Sequence, residues 1–253
     1  MKPIVALQLY TVRDYTEKDL PGTLAQVKAM GYDAVELAGT YGLETAAFKK
    51  LLDDAGLKAV SAHISFYDLK SDLAGTIAKY KALGCKVACV PWADKNDLPG
   101  GENFEETKAL FNKAGALCKE NGMTFTYHNH EFEFETLPCG TFILDALMDA
   151  TCPDTVQLQP DLGWVKVAGQ DPVAYLKKYP GRCPSVHLKD TALVDGKYED
   201  RPVGHGLLDI PAIAKAAEET GVSVLIAELD DAVGMTSMEA AQQSREYLKS
   251  LGY

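Results

Sequence analysis

The chain has only five histidines in 253 residues, and no stretch approaches the roughly 18 consecutive apolar residues of a membrane span. A bilayer-crossing helix is therefore not expected. The six cysteines, Cys85, Cys89, Cys118, Cys139, Cys152 and Cys183, form no Cys-x-x-Cys pair, and none stands beside a histidine. They read as reduced packing thiols of a cytosolic chain, and a catalytic thiol has no support. Basic runs are also missing. Lys and Arg total 25 against 36 Asp and Glu, a formal net charge of −11, which makes a nucleic-acid backbone a poor partner. A small anionic substrate stays open, because net charge does not set the potential inside one cleft. The N-terminal segment has too short an apolar run for a signal peptide and meets Arg13 and Asp14 almost at once. The expected location is the cytoplasm. No Pro/Ser-rich linker and no low-complexity segment divides the chain, so one domain over residues 1–253 is expected.

What is present is an alternation. Short β-rich runs are read at Ile4–Leu9, Ala34–Ala38, Ala59–His63, Val87–Val90, Thr124–Asn129, Thr155–Pro160, Ser185–Leu188 and Val222–Glu228. Amphipathic stretches with apolar residues at i, i+3 and i+4 are read at Leu20–Met30, Glu44–Asp54, Asp72–Leu83, Asn103–Asn121, Thr141–Met148, Pro172–Lys178, Ile210–Thr220 and Met238–Leu251. Gly31, Gly56, Gly84, Gly122 and Gly221 each separate a helix from the next strand, where a helix C-cap belongs. Eight strands each followed by a helix predict an α/β fold, a single (β/α)₈ TIM barrel. An open doubly wound sheet is the alternative, but no Gly-x-Gly-x-x-Gly turn follows the first strand.

All five histidines fall at the C-terminal end of a predicted strand or in the loop behind it. His63 ends the third strand, His128 and His130 the fifth and His187 the seventh, and His205 lies in the loop that follows. In a TIM barrel those ends form the active face. Carboxylates share the pattern: Glu36 near the end of the second strand, Asp161 after the sixth, Glu228 at the end of the eighth. Residues two apart on a strand share a face. Thr126, His128 and His130 therefore point one way, as do Ser185, His187 and Lys189, and Val224, Ile226 and Glu228. With those faces inward, Asp161, His187 and Glu228 converge at the barrel mouth. An Asp/His/Glu set with open positions suits Mn²⁺, Zn²⁺, Co²⁺ or Mg²⁺. Such an ion can hold adjacent hydroxyl and carbonyl oxygens of a sugar, while a nearby carboxylate or histidine moves the proton. A charged, hydrogen-bonded mouth without metal is the plainer alternative.

Seven segments carry a family resemblance: "ALQLYTVRD" (6–14), "GYDAVELAG" (31–39), "YHNHEFEF" (127–134), "DLGW" (161–164), "VHLKD" (186–190), "VGHGLLD" (203–209) and "AELD" (227–230). Together they resemble the sugar phosphate isomerase/epimerase family. It lies within the xylose isomerase-like TIM barrel superfamily, beside inosose dehydratases, ketose 3-epimerases and endonuclease IV. The likeness spans nearly the whole chain and is specific for the superfamily rather than for one reaction. It implies a divalent metal held by Glu, Asp, His and Glu from the fifth to eighth strands. Asp161, His187 and Glu228 match the last three. The first departs: aligning on Asn129 puts Thr126 at the glutamate position. His128, His130 or Glu133 is left to fill that place, or the metal is weak or absent. The departure counts against a two-carboxylate epimerase mechanism. Histidine, with an unperturbed pKa of about 6.5, is a replacement base, and an elimination of the inosose dehydratase or keto-glycoside lyase kind then fits.

The resemblance thus implies a metal-dependent isomerase or epimerase acting on a small keto-sugar, polyol or inosose. Elimination is one alternative and a non-catalytic sugar-binding barrel another. The expected ligands are Asp161, His187, Glu228 and His128, and the expected proton carriers His128, His130 and Glu228. His63, Trp92, Glu133, Trp164, Lys189 and His205 are expected near substrate. Glu36 either binds sugar hydroxyls or is a buried structural acid. Arg201 is expected at the surface. A phosphodiesterase like endonuclease IV needs more ligands and a basic face. A homodimer is allowed, since relatives often dimerise.

Overall fold

The computed structural model describes residues 2–253. Its strands are β1 (Ile4–Gln8), β2 (Ala34–Ala38), β3 (Lys58–His63), β4 (Val87–Val90), β5 (Thr124–His128), β6 (Val156–Gln159), β7 (Ser185–Leu188), β8 (Asp190–Val194), β9 (Lys197–Arg201) and β10 (Val224–Ala227). Eight pair in parallel in the order β6-β5-β4-β3-β2-β1-β10-β7. The two end strands also meet. The His187 N–H donates to the Pro160 carbonyl at 3.0 Å, and the Leu158 N–H to the Arg182 carbonyl at 2.9 Å. The barrel is nearly closed, a TIM barrel. Closure and the consecutive order exclude the open doubly wound sheet.

Alternation along the strands builds two different interiors. Outward residues such as Leu7, Val35, Leu37, Val90, Phe125, Leu158 and Leu225 belong to the main apolar core. Inside the barrel, Ala6, Ala34, Val224 and Ile226 form a separate small apolar cluster. Two residues further along their strands come Gln8, Glu36 and Glu228, and Ser61, Thr126, Gln159, Ser185 and His187 are buried with them. Period-two geometry thus sets a dry plug beneath a polar layer.

The eight predicted strands and eight predicted helices are all present, with boundaries moved by one or two residues. The structure adds short helices at Arg13–Thr16, Phe66–Ser71 and Leu162–Val167, and the antiparallel hairpin β8–β9. That hairpin turns on Asp195 and Gly196, both at positive φ (49° and 78°), as a two-residue Asp-Gly turn requires. All six cysteines are free thiols. No helix among the described residues is long and apolar enough to cross a membrane.

Asp190, the first hairpin residue, is wholly buried. Its carboxylate accepts the backbone N–H groups of Thr191, Gly204, Gly206 and Leu208 at 2.8 to 3.0 Å. It pins the loop behind the hairpin to the barrel. A Cβ on Gly206 would stand 2.3 Å from Asp190 Oδ1, so this close approach requires glycine. Asp190→Ala strands these donors and is expected to cost ~2–4 kcal/mol in urea unfolding. Amide exchange at Gly204, Gly206 and Leu208 should quicken with it; unchanged exchange there would contradict the pinning role.

Candidate active site

A cavity of about 580 Å³ opens at the C-terminal strand ends, lined among others by Tyr10, His63, Trp92, His128, His130, Glu228 and Asp230. Glu36 is the hub of the polar layer beneath it. Its carboxylate accepts from Gln8 Nε2 at 2.7 Å, Gln159 Nε2 at 2.7 Å and His187 Nε2 at 2.5 Å. His63 Nε2 lies 3.2 Å away and donates to Gln159 Oε1 at 2.9 Å. Burial opposes the charge on Glu36, but the His63 and His187 rings outweigh it and hold the carboxyl at about 2. His187 is gripped on its other side too, where Nδ1 donates to Glu228 Oε2 at 2.7 Å. Burial works against its proton, and Glu228 and Glu36 overcome that, raising the ring to about 10. Both of its ring nitrogens thus face a carboxylate oxygen.

His128, Asp161, His187 and Glu228 each offer one donor atom, and these atoms lie within 4.8 Å of one another. Asp161 caps the helix Leu162–Val167, its Oδ1 accepting the Trp164 N–H at 2.9 Å. Its Oδ2 is buried without a hydrogen-bond partner, as is His128 Nδ1. His128 Nε2 stands 3.9 Å from Asp161 Oδ2, too far to bond. Burial raises the Asp161 carboxyl, Lys189 lowers it and Glu228 raises it again, leaving it at about 7. Burial opposes charge on Glu228 as well, yet Lys189 and His187 hold it well below the usual carboxylate range. An orphaned carboxylate oxygen, a second carboxylate and two imidazoles facing one point suit a divalent cation.

Lys189 is the resident positive charge. Its Nζ lies 3.5 Å from Asp161 Oδ2 and 3.5 Å from Glu228 Oε2, pairs closely with Asp230, and stands 4.9 Å from the Trp164 ring centre. Burial disfavours its proton, but Glu228, Asp161 and Asp230 more than offset that and raise its pKa. Gly163 makes the room: a Cβ there would fall 2.7 Å from the Lys189 carbonyl. The hairpin reaches the same cluster, because Asp200 accepts the Asp230 N–H at 2.8 Å.

Of the residues expected near substrate, His63 and Trp92 line the cavity, together with His128, His130 and Glu228. Others stand elsewhere. Glu36 is the buried acid of the floor. Glu133 is wholly buried, accepting from the Tyr127 hydroxyl at 2.7 Å and the His130 N–H at 2.8 Å. Trp164 packs on Lys189 and near His130 rather than facing the cavity. Lys189 is buried among the carboxylates of Asp161, Glu228 and Asp230. His205 is exposed, its ring 6.2 Å from Tyr247 on the last helix. Arg201 pairs with Glu199 at 2.8 Å. Thr126, at the expected glutamate position, stays in the polar layer with its hydroxyl unpartnered. Tyr10 and Asp230 line the cavity but were not anticipated. Tyr10 sits in the 3₁₀ turn Leu9–Val12 behind β1, and Asp230 in the loop behind β10, so strand alternation does not reach either.

Glu133 carries a pH signature. Burial raises its carboxyl to about 7 against the hydrogen bonds from Tyr127 and His130, from an ordinary value of 4.5. Between those values the folded protein keeps a proton that the unfolded chain has released. This contribution to stability is full below about pH 4.5 and falls as pH rises through about 7. Glu133→Gln is expected to flatten that part of the slope in urea unfolding between pH 4 and 8. An identical slope in both proteins would contradict it.

A TIM barrel with a cavity and a converging donor set at its strand ends has the build of an enzyme. Residues 24–251 match the family described as "Xylose isomerase-like TIM barrel", and the chain belongs to that family. An inosose dehydratase from Clostridium beijerinckii is 28% identical, the match covering 92% of this chain and 90% of the relative. Another, from Geobacillus thermodenitrificans, is 26% identical over 89% of this chain and 87% of the relative. A crystal structure of a sugar phosphate isomerase/epimerase from Parabacteroides distasonis superposes with a TM-score of 0.80 at 27% identity, covering 98% of each chain.

Proposed function

We propose that this protein is a metal-dependent sugar isomerase or epimerase. Its reaction removes a proton from the carbon next to a carbonyl in a small keto-sugar, polyol or inosose. The supporting observation is the convergence of His128, Asp161, His187 and Glu228 at the cavity floor, with one Asp161 oxygen that accepts no hydrogen bond. These four would hold a divalent ion (Mn, Zn, Co or Mg). When bound, such an ion supplies a Lewis acid for adjacent hydroxyl and carbonyl oxygens. To serve as a ligand, His187 gives up one ring proton, and Glu36 retains the other through its hydrogen bond and so fixes the ring. Lys189 stays charged beside Asp161 and Glu228.

His130 is the proposed base. Burial and the nearby Lys189 hold its ring at about 4, so it stands neutral and proton-accepting at pH 7 in the cavity wall. Burial and the neighbouring His187 and His63 hold His128 well below its ordinary value, which suits a neutral ligand or a second base. Glu228, on β10, is the proposed second proton carrier. One observation favours a second reading, elimination with a histidine base as in a dehydratase. No carboxylate from β5 or the loop behind it lines the cavity, so the acid pair of an epimerase is incomplete. The inosose dehydratase relatives agree with that reading.

The test uses D₂O, Mn²⁺ and a panel of keto-sugars, inososes and 3-keto-glucosides. Deuterium is expected at a carbon next to the carbonyl in at least one compound. Loss of water with a conjugated carbonyl product would select elimination over isomerisation. No exchange and no elimination across the panel would refute both.

A further inference from the structure

The cavity has two chemically distinct halves. Its floor carries the histidines, Glu228 and Asp230. Its outer wall is mainly apolar, with Tyr10, Ala38, Pro91 and Trp92 beside Gly39 and Ser65. Tyr10 is 45% exposed and Trp92 42%, although both are large rings inside a concavity. Tyr10 is also braced. Its N–H donates to Gln8 Oε1 at 3.0 Å, and the Arg13 guanidinium covers one ring face, 4.2 Å from the centre. Bare, fixed aromatic surface of this kind stacks on flat apolar faces.

Size and charge narrow the ligand. At water's share of ~30 Å³ per molecule, the cavity takes up the space of roughly twenty waters, more than one six-membered sugar ring displaces. One such ring does not fill it, and the exposed Tyr10 and Trp92 rings are there to meet a second. No Lys or Arg is among the described residues that line the cavity. Arg13, just outside, is engaged by Asp231 at 3.3 Å, and Lys189 by its buried carboxylates. A phosphate group would find no free cation here.

We propose that the ligand is a neutral two-ring glycoside rather than a free monosaccharide or a sugar phosphate. The sugar ring rests on the polar floor, and a second ring lies against Tyr10 and Trp92. The second ring is an aryl group or another sugar, since both present a flat apolar face. The identity of the inner ring rests on the function proposed above; the two-ring requirement rests on the outer wall.

Isothermal titration with methyl β-D-glucoside, phenyl β-D-glucoside, cellobiose and glucose 6-phosphate tests this. Phenyl glucoside or cellobiose, or both, should bind at least about tenfold tighter than methyl glucoside. Whichever binds tighter shows whether the second ring is aryl or sugar. The Tyr10→Ala/Trp92→Ala double variant should lose that preference, with circular dichroism confirming its fold. Three results would overturn the proposal: no measurable or no preferred binding of either two-ring ligand, a preference that survives the double variant, or glucose 6-phosphate binding tightest. Binding is read without turnover. Failure of the proposed reaction would instead appear as absent deuterium exchange with the ring preference intact.

Discussion

Asp161→Asn should slow deuterium exchange by about a hundred- to a thousandfold while leaving the fold within ~1 kcal/mol of the native protein. Asparagine keeps an oxygen to accept the Trp164 N–H, which Asp161 Oδ1 takes at 2.9 Å. It also keeps the shape of the side chain. What it removes is the charge, and that charge is already disfavoured in the fold, where burial pushes the carboxyl up to about 7. The structural loss is therefore small. The chemical loss is large, because Oδ2, which accepts no hydrogen bond, is the atom a cation would take. Exchange measured beside urea unfolding separates the two. An equal fall in both would mark Asp161 as structural only.

Lys189→Met should act the other way. Without metal it is expected to destabilise the protein by ~3–5 kcal/mol, as removal of one partner from a buried charge cluster does. Methionine fills much of the space under Trp164 but leaves Asp161, Glu228 and Asp230 facing one another without their ammonium. A divalent cation can replace that charge, so Mn²⁺ should raise the melting temperature of the variant more than that of the native protein. At a hundredfold excess over its dissociation constant, a ligand restores ~2.7 kcal/mol. Equal stability of the two proteins in chelator would contradict the role given to Lys189.

The parts that sequence made legible share a physical cause. Barrel strands are covered on both faces, so β4 and β10 read as short apolar runs, and the glycines before them mark where each helix ends. Alternation then showed which side chains turn inward, and His187 and Glu228 meet on that account. Alternation says nothing about depth. Glu36 and Glu228 both point inward, yet Glu36 lies in the floor, bonded to Gln8, Gln159 and His187, while Glu228 reaches the cavity. Glu133 is turned from the cavity because the loop after β5 winds into a short 3₁₀ turn, Phe132–Phe134, that folds its carboxylate back under His130. His205 stands away from the cavity lining because the β8–β9 hairpin intervenes, and Asp190 then fixes the following loop. The hairpin was legible in principle, since Asp195-Gly196 between β-prone residues is a strong turn signal. Residues that meet only in three dimensions, such as Lys189 with Asp230 and Asp200, left no local spacing to read.

The central claim is that His128, Asp161, His187 and Glu228 hold one divalent cation. The most direct measurement is calorimetric titration of chelator-treated protein with Mn²⁺, in parallel with Asp161→Asn. A single ion per chain is expected in the native protein, with affinity at least about tenfold weaker in the variant. Absence of binding in the native protein, or equal binding by both, would contradict it.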